Sequence, residues 1–118
     1  MSVWNDIFNH LKEEGFDVYP PATKKGECKK PYIVVKHGGL FDTNEVSSVY
    51  EVYNLYLYIP VGHYSTLHDY KENVKQSMKK MFPKVRSMHD ELEPYYDEDI
   101  KAYMLQMKYL NYRKKERT

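Results

Sequence analysis

The chain has 118 residues, a formal charge of +1, 42% hydrophobic residues and 30% charged ones. That length fits one domain, since domains cluster at roughly 100 to 150 residues, and the apolar fraction excludes a disordered polymer. The near-balanced charge excludes a global field that would draw the molecule onto DNA or an anionic membrane, so a charged partner must be met by a local patch.

Trp4, Ile7, Phe8 and Leu11 fall at i, i+3, i+4 and i+7, which predicts an amphipathic helix over 2–14 with Ser2 as a plausible N-cap and Gly15 as its stop. From Met1 to Leu11 apolar residues alternate with polar and charged ones. This stretch lacks the continuous apolar run of a secretory leader and the roughly 20 apolar residues of a membrane span, so no membrane association is expected. Asp17 to Tyr19 extends briefly before Pro20 and Pro21. The segment 22–30 then holds Lys24, Lys25, Gly26, Lys29 and Lys30 with little that is apolar, and is expected to be a mobile basic loop. Within it lies Cys28, the one cysteine, so no internal disulfide can form and a reducing cytoplasm is the natural compartment. The flanking lysines could lower the thiol pKa, but a loop is a poor frame for a catalytic nucleophile.

Tyr32 to Lys36, bounded by Pro31 and Gly38-Gly39, reads as a strand. Val49 to Ile59 has period two: Tyr53, Leu55, Leu57 and Ile59 share one face, while Tyr50, Val52, Asn54, Tyr56 and Tyr58 share the other. An antiparallel sheet with one face in water would put small polar or charged residues on its second face, and this one puts rings there, so that face is expected to be covered. Pro60 and Gly62 end the strand, and Ser65 or Thr66 can cap a second helix. Its stripe is Leu67, Tyr70, Val74, Met78, Met81 and Phe82, ending at Pro83. The other side of this helix carries Lys71, Lys75 and Lys79 at i, i+4 spacing, where like charges repel unless a partner or solvent screens them. An acidic run follows, with Asp90, Glu91, Glu93, Asp97, Glu98 and Asp99. Residues 100–113 fit a helix through Ile100, Tyr103, Met104 and Met107, or a strand through Tyr103, Leu105, Met107 and Tyr109. The strand is preferred because tyrosine recurs along it and the long strand before it needs a partner of similar length. The expected fold is α+β, a small antiparallel or mixed sheet flanked by two main helices, with a flexible basic tail near 114–118.

Chemical motifs are sparse. The five histidines are scattered, His63 and His68 do not make an HExxH pair, and Cys28 has no second thiol, so no metal site is expected. Asp97, Asp99 and Glu93 lack EF-hand spacing and read as a solvated turn. No phosphate loop, GxGxxG or GxSxG occurs, so neither a cofactor nor an enzymatic activity is expected. Thirteen tyrosines against four phenylalanines and one tryptophan admit two readings. Either the rings serve surfaces that become buried on association, or tyrosine is simply favoured in long strands. The basic loop and tail leave a small DNA-binding module as one alternative and an uncharacterised cytosolic enzyme as another.

The stretch VYEVYNLYLYIPVGHYSTLHDYKENVKQSMKKMFP, followed by YYDEDIKAYMLQMKYLNYRKK, resembles the tail terminator and head-tail joining proteins of long-tailed bacteriophages and defective prophages of Gram-positive hosts. The resemblance runs from about Pro31 to Lys115 and rests on layout and local phrasing, with no catalytic signature; the N-terminal thirty residues match by arrangement only. It implies a virion protein, made in the host cytoplasm, that acts by oligomerisation and protein contact. Such a protein would form a homo-oligomeric ring, a hexamer being one arrangement, from a chain that is monomeric when isolated. The ring would cap the tail tube, meeting the tail tube protein on one side and the head connector protein on the other, with non-specific contact to passing DNA. On that expectation Tyr50, Tyr56 and Tyr58 lie at the subunit interface, and Lys71, Lys75 and Lys79 meet Asp97, Asp99 and the other acids of a neighbour. Lys24, Lys25, Lys29 and Lys30 then face the lumen or the connector.

Overall fold

The computed structural model describes residues 3–43, 48–91 and 93–114. Ser2, the basic tail beyond Lys114, and the side chains of Asp90 and Glu91 lie outside the described residues. In chain order the elements are α1 (Val3–Glu13), β1 (Val18–Tyr19), β2 (Tyr32–Asp42), β3 (Ser48–Pro60), α2 (Tyr64–Lys79), β4 (Arg86–Glu91), β5 (Tyr95–Asp97) and β6 (Ala102–Lys114). They form an α+β fold whose mixed sheet has the order β1-β2-β3-β6-β4, with β5 also paired to β6. β1 runs parallel to β2, and every other pairing is antiparallel.

The strand alternation decides where the helices go. Leu55, Leu57 and Ile59 of β3 and Leu105, Met107 and Tyr109 of β6 point to one face together with Ile33 and Val35 of β2. Ile7 and Leu11 of α1 and Leu67, Val74 and Met78 of α2 bury against that same face. Both helices therefore flank the sheet from one side, in two layers. A smaller cluster sits on the opposite face at one end, where Cys28, Tyr32 and Ala102 are buried with Tyr58, Tyr19 and Ile100 around them. The segment after β1 folds back over this end through a hydrogen bond from the Cys28 amide to the Ile100 carbonyl, 2.7 Å. The chain itself thus covers part of the ring-bearing face.

Residues 102–114 form a strand, as period two predicts, and pair with β3 at every position from Ser48↔Lys114 to Pro60↔Ala102. Strands of thirteen residues reach roughly 43 Å, which accounts for most of the 50 × 26 × 25 Å envelope. The helices cover only part of this length, so the end formed by Gly39–Asp42, Ser48–Glu51 and Asn111–Lys114 projects as a three-stranded arm.

Four local expectations change. β2 does not stop at Lys36 but runs on to Asp42, because Gly38-Gly39 forms a bulge inside the strand instead of ending it. Gly39 has φ +114°, open to glycine at little cost. α2 starts at Tyr64 after an N-cap His63 with no side-chain cap; Thr66 Oγ1 donates to the His63 carbonyl, and neither Ser65 nor Thr66 caps. The helix ends at Lys79, so Phe82 leaves the buried stripe and is 65% exposed. β4 and β5 fall in the stretch read as blocks of charge. Edge strands tolerate charged residues, which blunts their pattern.

At the bulge, a Cβ on Gly38 would lie 2.8 Å from Asn54 Nδ2 and 3.2 Å from the Val52 carbonyl, and Asn54 is itself held by Gln106 Nε2 at 3.1 Å. Gly38→Ala is expected to cost about 1–3 kcal/mol by overpacking, read as a lower urea midpoint with an unchanged slope.

Candidate interaction surface

The projecting arm carries aromatic residues in cross-strand register. Phe41 pairs with Tyr50 and Tyr50 with Tyr112, so the three rings lie side by side across three strands, with centroids 5.5 and 5.9 Å apart. Phe41 is 45% exposed and Tyr112 54%. The Arg86 guanidinium lies 5.9 Å from the Tyr112 ring and 5.3 Å from the ring of Phe82, which extends the strip around the edge of the sheet. Rings and an arginine in contact, exposed together, match the composition of protein interface centres.

A polar knot fixes the root of this arm. Glu51, nearly buried, accepts hydrogen bonds from Tyr53 Oη at 2.9 Å and His37 Nε2 at 2.7 Å, and pairs with Arg113 at 2.9 Å. Burial alone would raise the Glu51 carboxyl, but the Tyr53 and His37 bonds and the Arg113 charge outweigh it and hold it below the ordinary carboxylate value. The Tyr53 phenol is pushed up by burial and by its bond to Glu51. The knot ties β2, β3 and β6 together on the helix side, where the arm leaves the core.

A groove of about 840 Å³ opens between α2 and β4–β6, lined by the buried Met78, Val85, Met107 and Tyr109 together with Glu72, Lys75, Lys79 and Phe82 among others. A second hollow of about 490 Å³ lies toward the start of α2, lined by Lys71, His68, Glu93 and Leu105 among others. The three lysines expected on a solvated or interface face thus form the wall of these depressions. Part of the acidic run, Glu93, shares a hollow with Lys71 of the same chain, and Lys75 lies 3.9 Å from Glu72.

The remaining candidates spread over the molecule. Tyr50 joins the arm row. Tyr56 is half-buried at the middle of the face away from the helices, between Val34 and Gln106 in register. Tyr58 stacks on Tyr32 at 4.7 Å under the Cys28 segment, and burial pushes its phenol up. Asp97 accepts from the Asp99 amide at 3.0 Å in the exposed turn between β5 and β6. Lys24 lies over the rings of Tyr19 and Tyr32, and Lys30 pairs with Asp17 at 3.0 Å, while Lys25 and Lys29 are exposed. The loop lysines therefore do not form one patch. The knot around Glu51, the groove floor and the Arg86 contacts carry no short motif in sequence.

One cluster has the composition of a nucleophilic site without its geometry. Ser77, His10 and Glu14 meet where α1 and α2 touch. The His10 Nε2 lies 2.8 Å from the Ser77 carbonyl, which can only accept, so Nε2 donates there and offers no lone pair to the hydroxyl. The Ser77 hydroxyl donates instead to Glu14 Oε1 at 3.1 Å, and Lys80 pairs with the same carboxylate at 2.7 Å. The Lys80 and Ser77 bonds together lower the Glu14 pKa. This arrangement locks the helices together and activates no nucleophile. Burial pushes the Cys28 thiol up, with the Lys24 charge opposing it only in part. Among the described residues no group of three or more His, Cys, Asp or Glu side chains could hold a metal, and no helix is long and apolar enough to cross a membrane.

No protein-family model matches the sequence, and no curated relative matches it at a significant level.

Two outcomes follow from this geometry. Because the folded pKa of Glu51 is lowered, its contribution to stability is complete above the ordinary carboxylate pKa and disappears as pH falls through the folded value. Glu51→Gln should therefore lower stability at neutral pH by about 1–3 kcal/mol, the range for hydrogen bonds to charged groups, and the gap from wild type should narrow in urea titrations as pH falls below the ordinary carboxylate range. Cys28 is 4% exposed. A thiol-specific disulfide reagent should label it at least about tenfold more slowly in native protein than in urea, since labelling requires the covering segment to open.

Proposed function

We propose that this chain is a structural assembly protein that acts by binding copies of itself and other proteins, in the role its resemblance implies: capping a phage tail tube and joining tail to head. The exposed row Phe41–Tyr50–Tyr112, continued by Arg86 and Phe82, carries this reading. A long paired sheet holds these rings away from the helices, and the Glu51 knot braces them, so little conformational freedom remains to be lost on binding. An apolar strip outside the core, with rigid aromatic anchors, is what a protein partner recognises. The Ser77–His10–Glu14 cluster is bonded as a helix lock, which supports a binding role over a nucleophilic one.

Light scattering of the full chain from about 1 µM to about 1 mM tests the reading, because association follows mass action over that range. A closed oligomer that a Phe41→Ser/Tyr112→Ser double variant weakens by about 2 kcal/mol per ring is the expected result. An oligomer indifferent to the double variant would move the contact off the arm. A chain monomeric throughout, binding duplex DNA with an affinity that falls steeply with salt, would overturn assembly in favour of a nucleic-acid module.

A further inference from the structure

We propose that the aromatic strip of the arm docks on the opposite end of a second copy of this chain, at the ring cluster of Tyr64, Tyr103 and Tyr96. The contact rests on the assembly reading and gives it a specific joint.

Among the described residues, the eight large apolar side chains that stand exposed are gathered toward the two ends of the long strands. Leu40, Phe41, Tyr112 and Phe82 lie at the arm, and Val61, Tyr64, Tyr95 and Tyr96 lie where β3 stops and β6 starts. The second group has ring contacts of its own. Tyr103 meets Tyr64 at 4.8 Å between centroids and Tyr96 at 5.4 Å, while Tyr64 is 55% exposed and Tyr96 41%. One elongated molecule thus exposes an apolar patch at each end.

Charge decides which patch meets which. Arg86 lies against Tyr112 and Phe82 in the arm strip, and Lys36 and Lys108 project from the same sheet face as Tyr112. Register sends the arm carboxylates, Asp42 and Glu51, to the helix side, so along β2, β3 and β6 the strip's face carries no described carboxylate. At the other end Asp97, Glu98 and Asp99 follow the rings of Tyr95 and Tyr96, and the Asp97 carboxylate accepts from the Asp99 amide, so the turn is shaped before any contact is made. Cations near these rings stand beside acids: Lys101 lies 3.8 Å from Glu27, and Lys71 shares its hollow with Glu93. Strip against strip would gather like cations, and end against end would gather like carboxylates. Strip against end sets rings on rings and opposite charges around them.

Within one chain the two patches cannot meet, because Tyr112 lies nine residues along β6 from Tyr103, roughly 30 Å away. The joint is therefore made between molecules. It is heterologous, and closes into a ring or propagates as a fibre according to the rotation between copies.

Two variants that each lose one patch, studied alone and mixed, test the joint. Phe41→Ser/Tyr112→Ser removes rings from the strip, and Tyr64→Ser/Tyr96→Ser removes them from the end; all four side chains are exposed, and circular dichroism confirms that each variant is folded. Each variant alone should raise the apparent dissociation constant of the wild-type oligomer about tenfold or more in light scattering. An equimolar mixture should form pairs, since the first variant keeps a native end and the second a native strip, and growth should stop at twice the chain mass of 14.2 kDa. If the wild type assembles and either variant assembles equally well, this joint is wrong and the assembly reading stands. Loss of assembly in both variants with no pairing in the mixture up to about 1 mM would show that the two patches do not face each other, and also overturns the joint. A wild-type chain that is monomeric throughout the concentration series removes joint and assembly together.

Discussion

The uninterrupted pairing of β3 with β6 is the constraint on which the rest of the molecule depends. Thirteen successive partners, Ser48↔Lys114 to Pro60↔Ala102, fix the face of every side chain on both strands, because a slip of one residue would send Leu55, Leu57, Leu105 and Met107 to the opposite side. Both helices then have one place to go. The same pairing runs past the helices, so one set of backbone hydrogen bonds builds the core at one end of the strands and carries an exposed surface at the other.

Polar side chains make that division rigid at its two weak points. Where α1 meets α2, the His10, Glu14, Ser77 and Lys80 groups satisfy one another across the helix contact. Where the arm leaves the core, Glu51 gathers donors from β2, β3 and β6. Neither cluster is deeply buried, so desolvation does not cancel the hydrogen bonds, and each joins elements that apolar packing alone would leave free to slide. The helix layer and the arm are thereby held in a fixed relation to the groove between them.

Period and punctuation made much of this legible in the sequence. Trp4, Ile7, Phe8 and Leu11 marked α1, the alternation from Val49 to Ile59 marked β3, and recurrent tyrosine marked 100–113 as a strand. The fold class follows from those segments. Phe82 was misplaced because spacing alone continued the stripe beyond the last turn of α2. β4 escaped because Arg86 to Glu91 is an edge strand whose charges hide its alternation, and β5 because three residues carry no period. Of the candidate surfaces, the lysine wall of the groove was visible at i, i+4 spacing. Its apolar lining was not, since the spacing of Met107 and Tyr109 does not show which part of the sheet borders α2. Glu51, His37 and Arg113 meet only through strand register, which no local spacing encodes.

The glycine bulge in β2 has a wider consequence. Before it, Ile33, Val35 and His37 share the helix side; after it, Gly39 pairs with Val52 and Phe41 with Tyr50, on the other side. Counting by twos along an unbroken strand would leave Phe41 among the helix-facing residues and offer Leu40 to the tyrosines. One additional residue of backbone changes the parity of the strand's end and delivers the phenylalanine to the row. Which ring stands in that row is therefore set by chain length as much as by side-chain identity. A one-residue deletion at Gly38 or Gly39 would turn Phe41 to the helix side and set Leu40 beside Tyr50 and Tyr112, breaking the row without changing any of its rings.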